Sequence, residues 1–300
     1  MLISPRHRDL VSLFPQFLSV RRRGWKGLQA ILQLNQLERP AFFLLMALVQ
    51  ETDPGQPLSQ EEMASQLFNP YSTFYPILAS LPLLVEKGYL LRTDAHYLVT
   101  PQGRSFIEQV EQSARHYLAT LTPLPLPELT RLATVLEEIA ALMWQADEPA
   151  IKAHQMRCHR LPPLSTHAPM AQLEAAIFAL WTARDDAHIA AWRTEELSGP
   201  QMDLLNHLSV TETHTLAELA AILQQTQRPA DVEQGITAFG KRGYVSTSGE
   251  HITLTEPGRH LRNNIEQETD RIYFTPWPPL STDELDWLYS ALQNVCDTLG

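Results

Sequence analysis

Residues 87–112 and 242–267 carry the same punctuation at a constant offset of 155 residues. Lys87-Gly88-Tyr89 returns as Arg242-Gly243-Tyr244, and Thr100-Pro101-Gln102-Gly103-Arg104 returns as Thr255-Glu256-Pro257-Gly258-Arg259. Glu111-Gln112 returns as Glu266-Gln267. A period this long exceeds that of a solenoid unit and marks a duplicated domain. Two copies constrain the chain to two similar cores. They also let one polypeptide hold what other proteins assemble from two subunits. With 44% hydrophobic content, 300 residues can bury two cores of ordinary size, one per repeat.

The punctuation gives the grammar of the module. In the first copy Ala41 to Val49 reads as a buried helix, closed by Asp53-Pro54-Gly55. Ser59 and Glu62 have the spacing of a capping box, in which each side chain bonds the other residue's backbone N–H. That box opens a short helix through Leu67, with Met63 and Leu67 inward. After the turn Asn69-Pro70 a second helix is expected from about Ser72 to Glu86, with Gly88 as its C-cap. Leu90 to Thr93 and His96 to Thr100 read as two strands around Asp94-Ala95. Three helices and a two-stranded hairpin in this order define a winged helix-turn-helix. The second copy repeats it: a helix at Met202 to Leu208, a capping box at Thr215 and Glu218, and a helix at Ala230 to Arg242. Strands at Val245 to Thr247 and His251 to Thr255 follow, around Ser248-Gly249. The two boxes lie 156 residues apart, so one inserted residue separates them from the downstream block.

Each module continues into a helix, Gly103 to about Leu121 and Gly258 to about Phe274, and then into a proline-rich break. An amphipathic helix follows, marked by Leu129, Leu132, Leu136, Ile139 and Met143 in one copy. Leu285, Leu288, Leu292, Val295 and Leu299 mark it in the other. Helices are also expected before each module, at Leu28 to Leu37 and Met170 to Thr194. Pro149, Pro162, Pro163 and Pro169 mark residues 146–169 as a linker. The expected fold is mostly α with small β-wings: a module with flanking helices at 1–145, the linker, and a second module at 170–300. The two modules would pack as a single-chain pseudo-dimer.

Composition narrows the setting. Cys158 and Cys296 are too few for a disulfide framework, which points to a reducing cytoplasm. The longest apolar run, Ala41 to Val49, is too short to span a bilayer, and the short N-terminal apolar stretch, expected to be broken by Pro15, lacks a convincing cleavage site. Neither an anchor nor a signal peptide is expected. Charge is uneven: residues 1–40 hold seven Lys/Arg against two acids, and the remaining 260 hold 16 against 32. A simple nucleic-acid binder is not this acidic.

The winged core with flanking helices resembles the MarR-type transcriptional regulators. The second half is similar to a narrower set, the SalK-like helix-turn-helix proteins. That likeness rests on Ala183-Arg184-Asp185-Asp186-Ala187-His188, Ala191-Trp192, Leu197-Ser198-Gly199-Pro200 and Leu254-Thr255-Glu256-Pro257-Gly258-Arg259. It continues through Ile265-Glu266, Thr269-Asp270 and Pro276-Trp277, and covers roughly residues 172–299. The resemblance implies halves packed about a pseudo-twofold axis and a crevice able to hold an effector. Fold by itself does not fix activity.

A winged-helix reader places its second helix in the major groove and its wing along the backbone. The first copy is a poor reader, since Pro76 and Pro82 disturb its helix and Phe74, Tyr75 and Leu83 make it apolar. The second offers Arg228, Gln234, Lys241 and Arg242, beside Asp231 and Glu233. Arg92 in the first wing and the arm Arg21-Arg22-Arg23 complete the candidate contacts to double-stranded DNA. Arg104 and Arg259 are expected as internal ion pairs. Trp181, Asp185, His188 and Trp192 recur at intervals of four, three and four, so with Arg184 they share one helix face. Two indoles framing a His and an Asp could line a small-molecule pocket between the halves, or could simply pack modules together. His154, Cys158, His159 and His167 complete no zinc spacing. HExxH, Walker, GxSxG and GxGxxG motifs are absent, so neither a cofactor nor a catalytic residue is expected. Thr100 and Thr255 read as helix caps rather than nucleophiles. The composite reading is a ligand-responsive transcriptional regulator, monomeric as a pseudo-dimer or dimeric. Its rival is a winged-helix scaffold that has lost DNA binding and holds a protein or small molecule.

Overall fold

The computed structural model describes residues 3–63, 70–72, 76–160, 168–211 and 213–300. Expected features at Leu67, Asn69, Phe74, Tyr75, Pro162, Pro163 and His167 lie outside the described residues. The first half runs α1 (Pro5–Val20), α2 (Gly27–Leu34), α3 (Arg39–Glu51), β1 (Leu58–Ser59) and α4 (Gln60–Glu62). A 3-10 helix (Pro76–Ser80), α5 (Leu81–Glu86), β2 (Leu90–Thr93), β3 (His96–Val99), α6 (Pro101–Ala119) and α7 (Leu126–Gln145) complete it. After α8 (Ala153–Arg160) the second half comprises α9 (Pro169–Arg193), α10 (Gly199–Val210), β4 (His214–Thr215), α11 (Leu216–Leu223) and α12 (Pro229–Lys241). It closes with β5 (Val245–Ser248), β6 (His251–Leu254), α13 (Glu256–Phe274) and α14 (Thr282–Leu299). The chain is mostly helical, with small antiparallel sheets of the kind that form wings.

The repeated residues are the joints of this architecture. Both capping boxes form: the Ser59 N–H donates to the Glu62 carboxylate at 2.7 Å while the Glu62 N–H donates to Ser59 Oγ at 3.2 Å. Thr215 and Glu218 make the same two bonds at 2.7 and 3.2 Å. Gly88 and Gly243 end their helices with φ of 75° and 74°, a left-handed conformation open to glycine at little cost. Thr100 Oγ1 accepts from the Gly103 N–H at 3.1 Å and donates to the Gly88 carbonyl at 2.8 Å. Thr255 does likewise with Gly258 and Gly243. A Cβ on Gly103 or Gly258 would collide with the backbone carbonyl oxygen of Tyr89 or Tyr244. The motif shared by the two copies is thus a clamp from hairpin to helix, and its threonines are caps.

Each hairpin gains a third, short strand, giving the orders β1-β3-β2 and β4-β6-β5. Leu58 pairs with Tyr97 and His214 with Ile252. Among the described residues three buried clusters hold the molecule together. One lies within α2–α6 and the first sheet, around Leu44, Leu45, Met63 and Leu84. A second joins the C-terminal end of α9 to α10–α13 and the second sheet, around Trp192, Met202, Leu205, Val232 and Phe239. The largest is central and draws on both halves: Phe14 and Phe17 of α1, Leu136 of α7, Ile177 of α9, Tyr273 of α13 and Leu292 of α14. Here α7 packs along α9 and α14 along α1, so the last helix of each half covers a leading helix of the other.

Three expectations change. Where one helix is expected from Ser72 to Glu86, residues 76–86 form a 3-10 helix followed by six-residue α5. Pro76 and Pro82 cannot donate the backbone bonds of a continuous helix. The expected linker contains α8, whose N-terminus is capped from another helix: Asp186 of α9 accepts the backbone N–H groups of His154 and Gln155, each at 2.9 Å. The N-terminal stretch forms α1 straight through Pro15, because its apolar residues supply part of the central core.

Candidate functional site

Two regions answer to the candidate residues: the helix-turn-helix surface of the second half, and the surroundings of α9. In the first, α11 and α12 flank a turn ending at Arg228, the N-cap residue of α12. The Arg228 N–H donates to the Asp231 carboxylate at 3.3 Å. Val232, Gly235, Ile236 and Phe239 face the core, so Arg228, Gln234 and Lys241 are exposed, with Glu233 among them. Arg242, past the end of α12, donates to the Glu195 carbonyl at 3.2 Å and sits 4.8 Å from the Tyr244 ring centroid. Arg92 projects from the first wing, where its Nε–H donates to the Asp94 carbonyl at 3.0 Å.

The arginine arm is otherwise engaged. Arg22 donates to both Glu174 oxygens, at 2.7 and 2.8 Å, and to both Glu111 oxygens, at 3.3 and 2.9 Å. Arg21 also pairs with Glu174, and Arg23 donates to the Gly300 carbonyl. Burial disfavours the Arg22 charge, yet the Glu174 and Glu111 carboxylates overcome it and hold its pKa above the usual arginine value. Glu174 is correspondingly held below the ordinary carboxylate range despite its burial. Arg104, expected in an ion pair, instead closes the C-terminal end of α3 by donating to the Val49 and Thr52 carbonyls at 3.4 and 2.9 Å. Arg259 pairs with Glu256 at 3.6 Å.

The face proposed along α9 is divided between two clefts and a plug. Trp181, Arg184 and His188 line a cleft of about 800 Å³ with Tyr71, Asp203 and Glu266. Arg184 donates to Glu266 at 3.1 Å and lies 3.9 Å from Asp270. Trp181 and Asp185 line a second cleft of about 790 Å³ towards α2, α3 and α6. Trp192 is covered by the first half: its Nε1–H donates to the Tyr71 hydroxyl at 3.4 Å, and the ring centroids lie 6.0 Å apart. Tyr71 also sits 6.3 Å from His188, and burial drives its hydroxyl pKa above the usual tyrosine value.

Charge in these clefts follows from burial. Asp185 is pushed up to about 6 by desolvation, against the opposing pull of His154 and Arg157. His188 is lowered to about 4 by desolvation, only partly offset by Glu266. The Thr269 hydroxyl donates to the Ile265 carbonyl at 2.7 Å, so His188 Nδ1, 3.1 Å away, must be the donor to Thr269. A neutral His188 then keeps an unprotonated Nε2. Cys158, whose thiol burial pushes up to about 11, contacts the Thr182 hydroxyl at 3.3 Å. His154 Nδ1 contacts Asp186 at 3.0 Å. Among the described residues no group of three or more His, Cys, Asp or Glu is placed to hold a metal.

Sequence reasoning missed Tyr71, Asp186, Asp203 and Gln227. Tyr71 and Gln227 lie 156 residues apart, the same separation as the two capping boxes, so the repeat itself held that signal. Asp186 gave none, because its partners are remote in sequence, and neither did Asp203, whose contact with Gln227 spans 24 residues.

Residues 159–300 match the helix-turn-helix family, a span that includes α11, α12 and the second wing. Comparisons with curated proteins and with solved structures give no match. Among the described residues, no helix is long and apolar enough to cross a membrane.

Proposed function

We propose that this chain is a ligand-responsive, DNA-binding transcriptional regulator of MarR-like type, built as a single-chain pseudo-dimer. The observation that carries the reading is α12: a capped, regular helix beside a wing, presenting Arg228, Gln234 and Lys241 outward. The crossed packing of α7 on α9 and α14 on α1 supports the pseudo-dimer, since an isologous interface makes each contact twice. DNA contact falls to the second half, with Arg242 and the β5–β6 wing beside α12, and Arg92 as a peripheral contact. Arg21 and Arg22 brace α1 against α9 and α6 rather than reaching for phosphate. The effector site is the cleft lined by Trp181, Arg184 and His188, with Asp185 on the opposite side of α9.

The test is binding to random duplex DNA across a salt series, with the parent and an Arg228→Glu/Lys241→Glu variant. The parent should bind with steep salt dependence. The variant should lose affinity and about one unit of salt slope for each phosphate contact removed. Equal affinities for variant and parent would sink the reading. A second reading is favoured by the formal net charge of −11 and by the docking of Tyr71 on Trp192: a winged-helix scaffold that binds no DNA. Absence of binding even at low salt selects it.

A further inference from the structure

The N-terminal turn of α10 is gripped from two sides. On one side the first half closes over it: a Cβ on Gly199 would collide with the Pro70 carbonyl oxygen and come 3.0 Å from the Tyr71 backbone nitrogen. That contact allows a glycine and little else, because the opposing atoms are backbone and cannot move aside as a side chain can. On the other side the turn between α11 and α12 is tied to the same residues. Gln227, 2% exposed, donates through Nε2 to the Pro200 carbonyl at 3.1 Å and to Asp203 at 3.3 Å. Gln227 immediately precedes Arg228, the N-cap of α12. Further along, a Cβ on Gly235 would lie 2.7 Å from Leu204, so α12 rides closely on α10.

Both grips open onto the cleft beside α9. Tyr71 and Asp203 belong to its wall together with Trp181 and His188. Whatever fills that cleft therefore meets the two groups that hold the turn in place.

We infer that Tyr71 and Asp203 are positioning residues that set the orientation of α12 through the Gly199-Pro200 turn and Gln227, so that occupancy of the cleft is transmitted to the helix-turn-helix. The inference rests on the proposed effector cleft and deepens it by naming how the cleft acts. Coupling of this kind is worth a measurable factor in an equilibrium, typically about 5- to 150-fold. Its physical basis is a contact that either holds or releases a packed element.

The test needs neither ligand nor DNA. Hydrogen exchange of the full chain is compared for the parent, Tyr71→Ala and Tyr71→Phe, with α14 as internal reference. Tyr71→Ala should speed exchange of the α12 amides from Val232 to Ile236 about fivefold or more, while Tyr71→Phe, which keeps the ring, stays within about twofold of the parent. A folded Tyr71→Ala protein whose extra exchange is confined to α3, α5 and the Trp192 neighbourhood overturns the inference. Should Tyr71→Ala not fold, Asp203→Ala gives the same reading from the other grip. It removes one of the two acceptors of Gln227, and unchanged α12 exchange again overturns the inference. DNA binding by the parent, measured separately, distinguishes the two readings. Faster α12 exchange without any DNA binding keeps the relay and sinks the regulator. DNA binding with unmoved α12 exchange does the reverse.

Discussion

At Arg22 a guanidinium meets two buried carboxyl groups. Glu111 is 6% and Glu174 7% exposed, and Arg22 satisfies both with its forked donors. A run of three arginines in sequence looks like a solvated arm because nothing nearby neutralises it. The two carboxylates arrive from residues 89 and 152 positions away, a separation no local pattern reveals. Asp185 and His188, spaced as one helical face, also end in different environments. Burial lifts Asp185 to about 6 from its ordinary 3.8. The folded state therefore holds a proton that the unfolded state has released between those values. Asp185 costs no stability below 3.8, and the penalty grows as pH rises through about 6. Asp185→Asn should then stabilise the protein at pH 7 by about 3 kcal/mol and have a far smaller effect at pH 4. Urea unfolding at the two pH values checks this, and an equal gain at both would refute it. His188 runs the opposite way. Lowered to about 4, it favours the fold fully above its ordinary 6.5, and that contribution is lost as pH falls towards 4.

Among the elements, helices with repeated apolar spacing and a capping box were legible to within a few residues. α10, α12 and α13 sit where the pattern placed them, because capping and side-chain periodicity are local properties of the chain. The corresponding segment of the first half illustrates the limit. Its prolines announced a poor helix, but not that the turn would be taken up by Trp192 of the other half. α8 is the converse case, a helix within a segment rich in proline. Its isolated sequence has weak reason to be helical, and the cap comes from Asp186, some thirty positions on. Arg157 pairs with Glu51 and Arg160 with Asp53, so α8 struts α3 against α9. Replacing Asp186 by Ala should cost about 1–2 kcal/mol, as loss of an N-cap does, and should raise hydrogen exchange first in α8. If α8 exchanges no faster than in the parent, the cap is not what orders it.

For the whole molecule the consequence lies in the central core. Phe14, Phe17, Leu136, Ile177, Tyr273 and Leu292 come from both halves, so neither half buries its long helices unaided. Residues 1–160 and 161–300, expressed as separate chains, should copurify as a one-to-one complex, and the isolated pieces should aggregate or dye-bind through the exposed face. Two pieces that each stay monomeric and fully folded would contradict a shared core. The sequence by itself determined the repeated motif, the order of elements, both capping boxes, the hairpin-to-helix clamps and the outward placement of Arg228, Gln234 and Lys241. These depend on contacts within a few residues or on a repeat visible in one dimension. The tertiary structure decided the rest: the carboxylates that claim Arg21 and Arg22, the plug of Tyr71 on Trp192, the division of the α9 face between two clefts and the double grip on Gly199-Pro200. Each of those joins residues distant in the chain, and burial, which assigns a charge its partner or its pKa, exists only once the halves have closed on one another.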